Sequence, residues 1–192
     1  KAVNINRRVV MVFVIAIALF SFSSANYTLK AVIAVDADYF TTDNFGNVYA
    51  VKNDVLEKYD SNGKLLKSFS NKNYGKIFFI DVSNPLKLIL FYKDFLKIIF
   101  LDNTLSQNGS AVALQEVNLQ QPWFLCSSRD NGLWIYNQQN FELVRTDEDL
   151  HIIQRTGNIS HLLKMQLAPN SLMEYNNRVY LNDTAQGILV FD

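Results

Sequence analysis

Metal, nucleophilic and acid–base chemistry each have candidate residues in this sequence, and each candidate can be weighed by its neighbours. His151 and His161 stand ten positions apart with no second ligand at metal-binding spacing and no cysteine beside them, so a zinc site is not expected. Asp147-Glu148-Asp149 next to His151 has the composition of an acid–base or metal cluster. Three consecutive residues of a strand or turn point in different directions, and a solvated charged turn is the expected reading. Cys126 is the single cysteine. It excludes an intramolecular disulfide, and within Trp123-Phe124-Leu125-Cys126 it reads as a buried, inert thiol rather than a nucleophile. Asp60-Ser61-Asn62-Gly63 and Asp130-Asn131-Gly132 contain calcium-ligand residue types, yet neither has a glutamate at the twelfth position of a helix-flanked loop. They are expected to be turns, in which Asp or Asn caps its own backbone and glycine takes the positive φ that closes a hairpin. There is no G-x-S-x-G elbow, glycine-rich phosphate loop or dinucleotide fingerprint. A non-enzymatic role with no metal and no other cofactor is the expectation.

For contact with a partner, two residues stand out. Trp123 follows Pro122 at a loop, and Arg129 lies in a turn between two strands; exposed loops carry binding residues more often than the elements they connect. The aromatics around them, Phe124, Trp134, Tyr136 and Phe141, are expected to pack in the interior. The partner would be a protein or a small ligand. With 18 basic and 18 acidic side chains the chain generates no field that would gather nucleic acid.

These residues sit in a chain of 192 with 49% hydrophobic and 13% aromatic content, enough apolar surface for one folded domain and too much for a disordered one. Its first 25 residues read as an export signal. Lys1, Arg7 and Arg8 precede the apolar run Val9 to Phe20, followed by the small residues Ser23 and Ala25; the run is shorter than the ~20 residues of a membrane-spanning helix. Cleavage is expected after Ala25, leaving residues 26–192 with a net charge of −3 in a periplasmic, secreted or cell-envelope location. If uncleaved, Arg8 to Phe22 would be the only membrane contact.

From Asn26 onward, runs of four to seven β-branched, aromatic and leucine residues alternate with polar turns, the pattern of an all-β chain. Expected strands are Val48–Val51, Val55–Tyr59, Leu65–Phe69, Ile77–Val82, Leu86–Tyr92, Phe95–Leu101, Phe124–Ser127, Leu133–Tyr136, Val179–Leu181 and Ile188–Phe191. Ser160–Leu167 is the one expected helical stretch, with Leu162, Leu163 and Leu167 on one face. A strand ending in an aromatic or leucine and followed by Asp or Asn recurs at Lys58-Tyr59-Asp60, Ile99-Phe100-Leu101-Asp102, Trp134-Ile135-Tyr136-Asn137 and Leu189-Val190-Phe191-Asp192. The copies lie 42, 35 and 55 residues apart, bracketing the roughly 40 to 50 residues of a four-stranded propeller blade.

Asp43 to Gly46, then Asn47-Val48-Tyr49-Ala50, and Lys58-Tyr59-Asp60 through Gly63-Lys64-Leu65-Leu66 resemble one blade of the six-bladed β-propellers built from NHL-type repeats. Ile80-Asp81-Val82-Ser83-Asn84-Pro85-Leu86-Lys87 and Phe100-Leu101-Asp102-Asn103-Thr104-Leu105 are similar to stretches of uncharacterised secreted propeller-like proteins of Bacteroidetes. The resemblance implies a β-propeller domain over residues 26–192 with about four of six blades present, incomplete at its carboxyl end, and an envelope location. It implies no reaction. Two alternatives to a scaffold or binding module come with the fold: a calcium-dependent lactonase-type hydrolase, whose metal is held by side chains from several blades, and a structural subunit of a larger envelope assembly.

Overall fold

The computed structural model describes residues 27–192; the expected export segment lies outside them. Residues 27–32 carry no regular structure, and Ile33–Asp192 form a compact unit of their own. This unit contains four antiparallel sheets, each drawn from one continuous stretch of chain. The first comprises β1 (Tyr39–Thr42), β2 (Val48–Lys52), β3 (Val55–Tyr59) and β4 (Leu65–Ser70). The second comprises β5 (Phe79–Asp81), β6 (Leu88–Tyr92), β7 (Lys97–Leu101) and β8 (Gln107–Ala113). In the third are β9 (Pro122–Ser127), β10 (Leu133–Asn137), β11 (Glu142–Thr146) and β12 (Ile152–Arg155), and in the fourth β13 (Pro169–Tyr175), β14 (Arg178–Asp183) and β15 (Gly187–Phe191). Strands pair in sequence order within every sheet. The first strands, β1, β5, β9 and β13, all border one central channel, so the sheets are the blades of a β-propeller.

Three apolar cores hold successive blades together. Tyr49, Val51 and Leu56 of blade 1 pack against Leu88, Leu90 and Tyr92 of blade 2. Ile89, Phe91 and Ile98 of blade 2 meet Leu125, Ile135 and Val144 of blade 3. Tyr136 and Leu143 of blade 3 meet Leu172, Val179 and Leu181 of blade 4. Because successive side chains of a strand point to opposite faces, β6 sends Leu88, Leu90 and Tyr92 one way and Ile89 and Phe91 the other. All five are fully buried. That is why Leu-Ile-Leu-Phe-Tyr is continuously apolar instead of alternating, and each of these side chains stabilises the stack by about 2 kcal/mol.

The structure corrects the phase of the expected repeat. Third strands end at Tyr59, Leu101, Thr146 and Phe191, so the true spacings are 42, 45 and 45 residues. Trp134-Ile135-Tyr136-Asn137 is instead the second strand of its blade. The equivalent stretch, Val144-Arg145-Thr146-Asp147, ends its strand on Thr146 where an aromatic or leucine was expected, and the neighbouring Arg145 pairs with Asp130 at 2.8 Å. Strands β1, β8, β11, β12 and β13 were not among those expected. β8 and β12 are outermost and largely exposed, so they lack the apolar signature; β13 opens on Pro169 and alternates with polar residues. The expected helix shortens to α1, Ile159–Leu163, because Lys164 turns into the left-handed region at φ 55° and ends it.

One loop recurs at four hairpins. Asp43, Asp60, Asp102 and Asp147 each use Oδ1 to accept backbone N–H bonds from residues two and four positions on, at 2.8–3.0 Å. The fourth residue of each loop has positive φ: Gly46, Gly63, Leu105 and Leu150. These carboxylates shape turns, as the sequence led one to expect of Asp60 and of the Asp147 cluster.

Candidate functional site

The central channel has a volume of about 520 Å³. Phe40, Phe78, Phe124, Leu172 and Met173 give it an apolar wall, and Asp81 and Glu174 bring carboxylates to it from blades 2 and 4. Both carboxylates have partners. Asp81 Oδ1 accepts the N–H of Ser83 at 2.8 Å and Oδ2 that of Ser127 at 2.5 Å, which links blade 2 to blade 3. Glu174 Oε2 accepts Nε1–H of Trp134 at 2.7 Å. Cys126 also borders the channel but is buried. Burial, reinforced by the negative charges of Asp81 and Glu174, pushes its thiol well above the ordinary range, so it stays protonated and unreactive.

At the ends of the first strands a second hollow of about 360 Å³ opens between the turns of blades 2, 3 and 4. Blade 2 contributes Ser83 and Asn84; blade 3 contributes Arg129 and Asn131; blade 4 contributes Tyr175, Asn176 and Asn177. Asn176 and Asn177 have φ of 49° and 62°, the two-residue hairpin geometry in which asparagine is favoured because it tolerates left-handed backbone. A smaller hollow of about 100 Å³ adjoins it, bordered by Arg129, Trp134, Arg145, Glu174 and Asp192 among others. Glu174 borders all three spaces and Arg129 two.

The two residues singled out from sequence end up apart. Arg129 sits on the rim of the polar cleft, exposed and with no hydrogen bond from its side chain among the described residues. Trp123 is near the opposite end of β9, about 13 Å from its last residue, Ser127, at the rise of an extended strand. Its ring is 37% exposed, packs edge-on against Phe124, and lies 4.1 Å from Lys93 Nζ, which also stacks over Phe78 at 4.5 Å. Trp123 thus clamps a blade 2 lysine, and burial there holds the Lys93 ammonium below its ordinary pKa. Glu174, Tyr175, Asn176 and Asn177 were missed. The signal for them was the Asn-Asn pair between two strand-forming runs, a hairpin marker.

His151 is exposed, with Nδ1 3.2 Å from Asp147 Oδ2, while His161 lies on α1, where its N–H is capped by Asn158. Among the described residues no three His, Cys, Asp or Glu side chains gather as a metal centre would require.

Solved structures of other proteins share this arrangement of blades. The fold is that of a β-propeller. The WD40 domain of Pan2 from Neurospora crassa superposes with a TM-score of 0.58 at 9% identity, over 81% of this chain and 46% of that one. A protein of unknown function from Bacteroides caccae gives 0.54 at 7% identity, over 80% and 55%. Virginiamycin B lyase from Staphylococcus aureus, crystallised with quinupristin, gives 0.50 at 13% identity, over 79% and 54%. The chain spans about half the length of each. At such identities the likeness concerns the fold alone. No known family pattern matches the sequence, and no curated protein matches it.

Proposed function

We propose that this propeller is a non-enzymatic binding module, secreted or associated with the cell envelope, whose ligand or partner seats at the mouth of the central channel. The observation that carries the reading is the junction at Glu174, where an apolar channel meets a polar cleft with an unpaired guanidinium, Arg129, on its rim. A concave site of this size, part apolar and part lined by a few polar groups, is what small-ligand recognition uses. The NHL-like pattern of Asp43–Leu66 supports grouping the chain with the six-bladed propellers of that type. One fold neighbour is a lyase, so the fold by itself does not choose between binding and catalysis. The site does weigh against the lactonase alternative: both oxygens of Asp81 are engaged by backbone N–H groups, Glu174 is engaged by Trp134, and the thiol is protonated. Chemical-shift mapping of the full chain against a mixed panel of short peptides and oligosaccharides tests the proposal. Perturbations should concentrate at residues 83–84, 127–131 and 174–177; turnover of a panel compound, or shifts confined to other faces, would displace it.

A further inference from the structure

None of the ten residues bordering the polar cleft is aliphatic, which separates it from the channel beneath and from the apolar pockets that take hydrophobic peptide side chains. Its lining consists of hydroxyls, carboxamides, one carboxylate, one guanidinium and one phenol ring. Several of these are free. The side chains of Arg129, Tyr175, Asn176 and Asn177 make no hydrogen bond or ring contact among the described residues, although all four are brought together by neighbouring turns of blades 3 and 4.

The chemistry these groups share is that of a polyhydroxylated ring bearing a negative charge. A carboxamide offers a donor and an acceptor side by side, matching sugar hydroxyls, each of which is both. The Tyr175 ring is 61% exposed and presents a flat apolar face, which suits the C–H face of a pyranose and would be wasted on a purely ionic ligand. Arg129 supplies a planar fork that matches a carboxylate in bidentate fashion. The cleft volume of about 360 Å³ accommodates one to two sugar rings. We infer that the cleft between the blade 2, 3 and 4 turns binds an acidic saccharide of the uronate class, with Arg129 on the carboxylate, Asn176 and Asn177 on hydroxyls, and Tyr175 under a ring face. This assignment rests on the reading of the chain as a binding module and names the ligand class of that same site.

The test titrates the full chain with α-1,4-linked trigalacturonate and, as the neutral counterpart, maltotriose, followed by amide chemical shifts and calorimetry. Trigalacturonate should bind about tenfold more tightly, the value of one charge-assisted contact at a wet site. Arg129→Gln should abolish that preference while leaving maltotriose binding unchanged; Tyr175→Ala should weaken both sugars alike. Both positions are exposed, so the variants should melt with the parent, and this is checked first. No shifts at residues 129 and 175–177 with either sugar, or a preference that survives Arg129→Gln, overturns the assignment. If short peptides from the panel shift those residues and the sugars do not, the saccharide class falls while the binding-module reading stands. If no panel compound shifts the cleft, both fall.

Discussion

Trp134 of β10 donates its indole N–H to Glu174 of β13 at 2.7 Å, joining blade 3 to blade 4 where the channel, the polar cleft and the smaller hollow meet. The same indole carries the guanidinium of Arg145 over its ring at 5.6 Å, and Arg145 in turn holds Asp130. The acceptor is partly buried, so a missing donor would leave it unsatisfied. Trp134→Phe should therefore cost about 1–3 kcal/mol, lowering the melting temperature by several degrees for a chain of this size. Trp134→Phe combined with Glu174→Leu should recover part of that loss, because no orphaned acceptor remains. Calorimetric melts of the single and double variants decide; a double variant worse than the sum of its parts would mean that the contact is not what joins the blades there.

Gly132 makes a sharper steric case. A Cβ at this position would lie 1.9 Å from the carbonyl oxygen of Thr146 and 2.8 Å from its carbon, because the β9–β10 turn presses against the end of β11. Gly132→Ala must push two backbones apart and should cost at least about 3 kcal/mol. Gly109, with φ 76° and no atom near its missing Cβ, should tolerate alanine at roughly 1–2 kcal/mol of left-handed strain. Denaturant midpoints of the two variants give the comparison, and equal losses would refute the close-approach argument.

Leu105 sets two requirements against each other. Its loop position needs positive φ, here 61°, which glycine meets at the equivalent Gly46 and Gly63. Its side chain, 4% exposed, fills the core between blades 1 and 2. Packing prevails: emptying the site costs about 2–5 kcal/mol, against roughly 1–2 kcal/mol of backbone strain relieved. Leu105→Gly and Leu105→Ala should both be less stable than the parent, with the glycine variant the more stable of the two because it alone relieves the strain. The reverse order in urea unfolding would show the strain to be negligible.

The same contest explains what could and could not be read from sequence. β6 announced itself because both its faces are buried, and Asp60-Ser61-Asn62-Gly63 because its glycine matches the backbone it adopts. Asp102 to Ser106 forms the identical loop with a leucine at the glycine position, so only the aspartate after the strand end marked it as a turn. β8 and β12 lie at the blade rims and have no apolar periodicity to detect. Thr146, the true counterpart of Leu101, is polar because its hydroxyl accepts the N–H of Leu133 at 3.1 Å, which let Tyr136 pass for the repeat. Arg129 was visible as a turn residue. Its companions Glu174 and Tyr175 were not, since they are some 45 residues distant and only the closing of blade 4 on blade 3 brings them to the same cleft.

The aspartate loops also fix an acid dependence. At Asp43 burial favours the neutral acid, but hydrogen bonds from the Asn47 side chain and backbone, Tyr49 and Phe45 outweigh it and hold the carboxyl below its ordinary pKa. Asp102 is lowered by the Thr104 hydroxyl and then by the Ser106 N–H, and Asp130 by Ser128 and Arg145. A carboxylate whose folded pKa lies below its unfolded one contributes stability in full above the unfolded value and loses it as pH falls through the folded one. Urea midpoints should hold steady from neutral pH down to about 4 and fall below that. Asp102→Asn should make the acid limb shallower. A decline already complete between pH 7 and 5 would place the responsible groups elsewhere.

The same saturation of carboxylates bears on calcium. Asp43, Asp60, Asp102 and Asp147 each direct Oδ1 at two backbone N–H groups of their own loop, and Asp81 engages both oxygens, so a cation would have to displace bonds that define the turns. Calcium takes six to eight oxygen ligands and gains little from carboxylates already committed. Melting in excess chelator should therefore match melting in excess calcium. The comparison is sensitive enough to count: an ion present at 100 times its dissociation constant adds about 2.7 kcal/mol by mass action, which moves the melting temperature of a domain of this size by several degrees. A reproducible rise of that size with calcium, together with hydrolysis of a model lactone that chelator abolishes, would replace the binding module with a metal-dependent hydrolase and require ligands other than these aspartates.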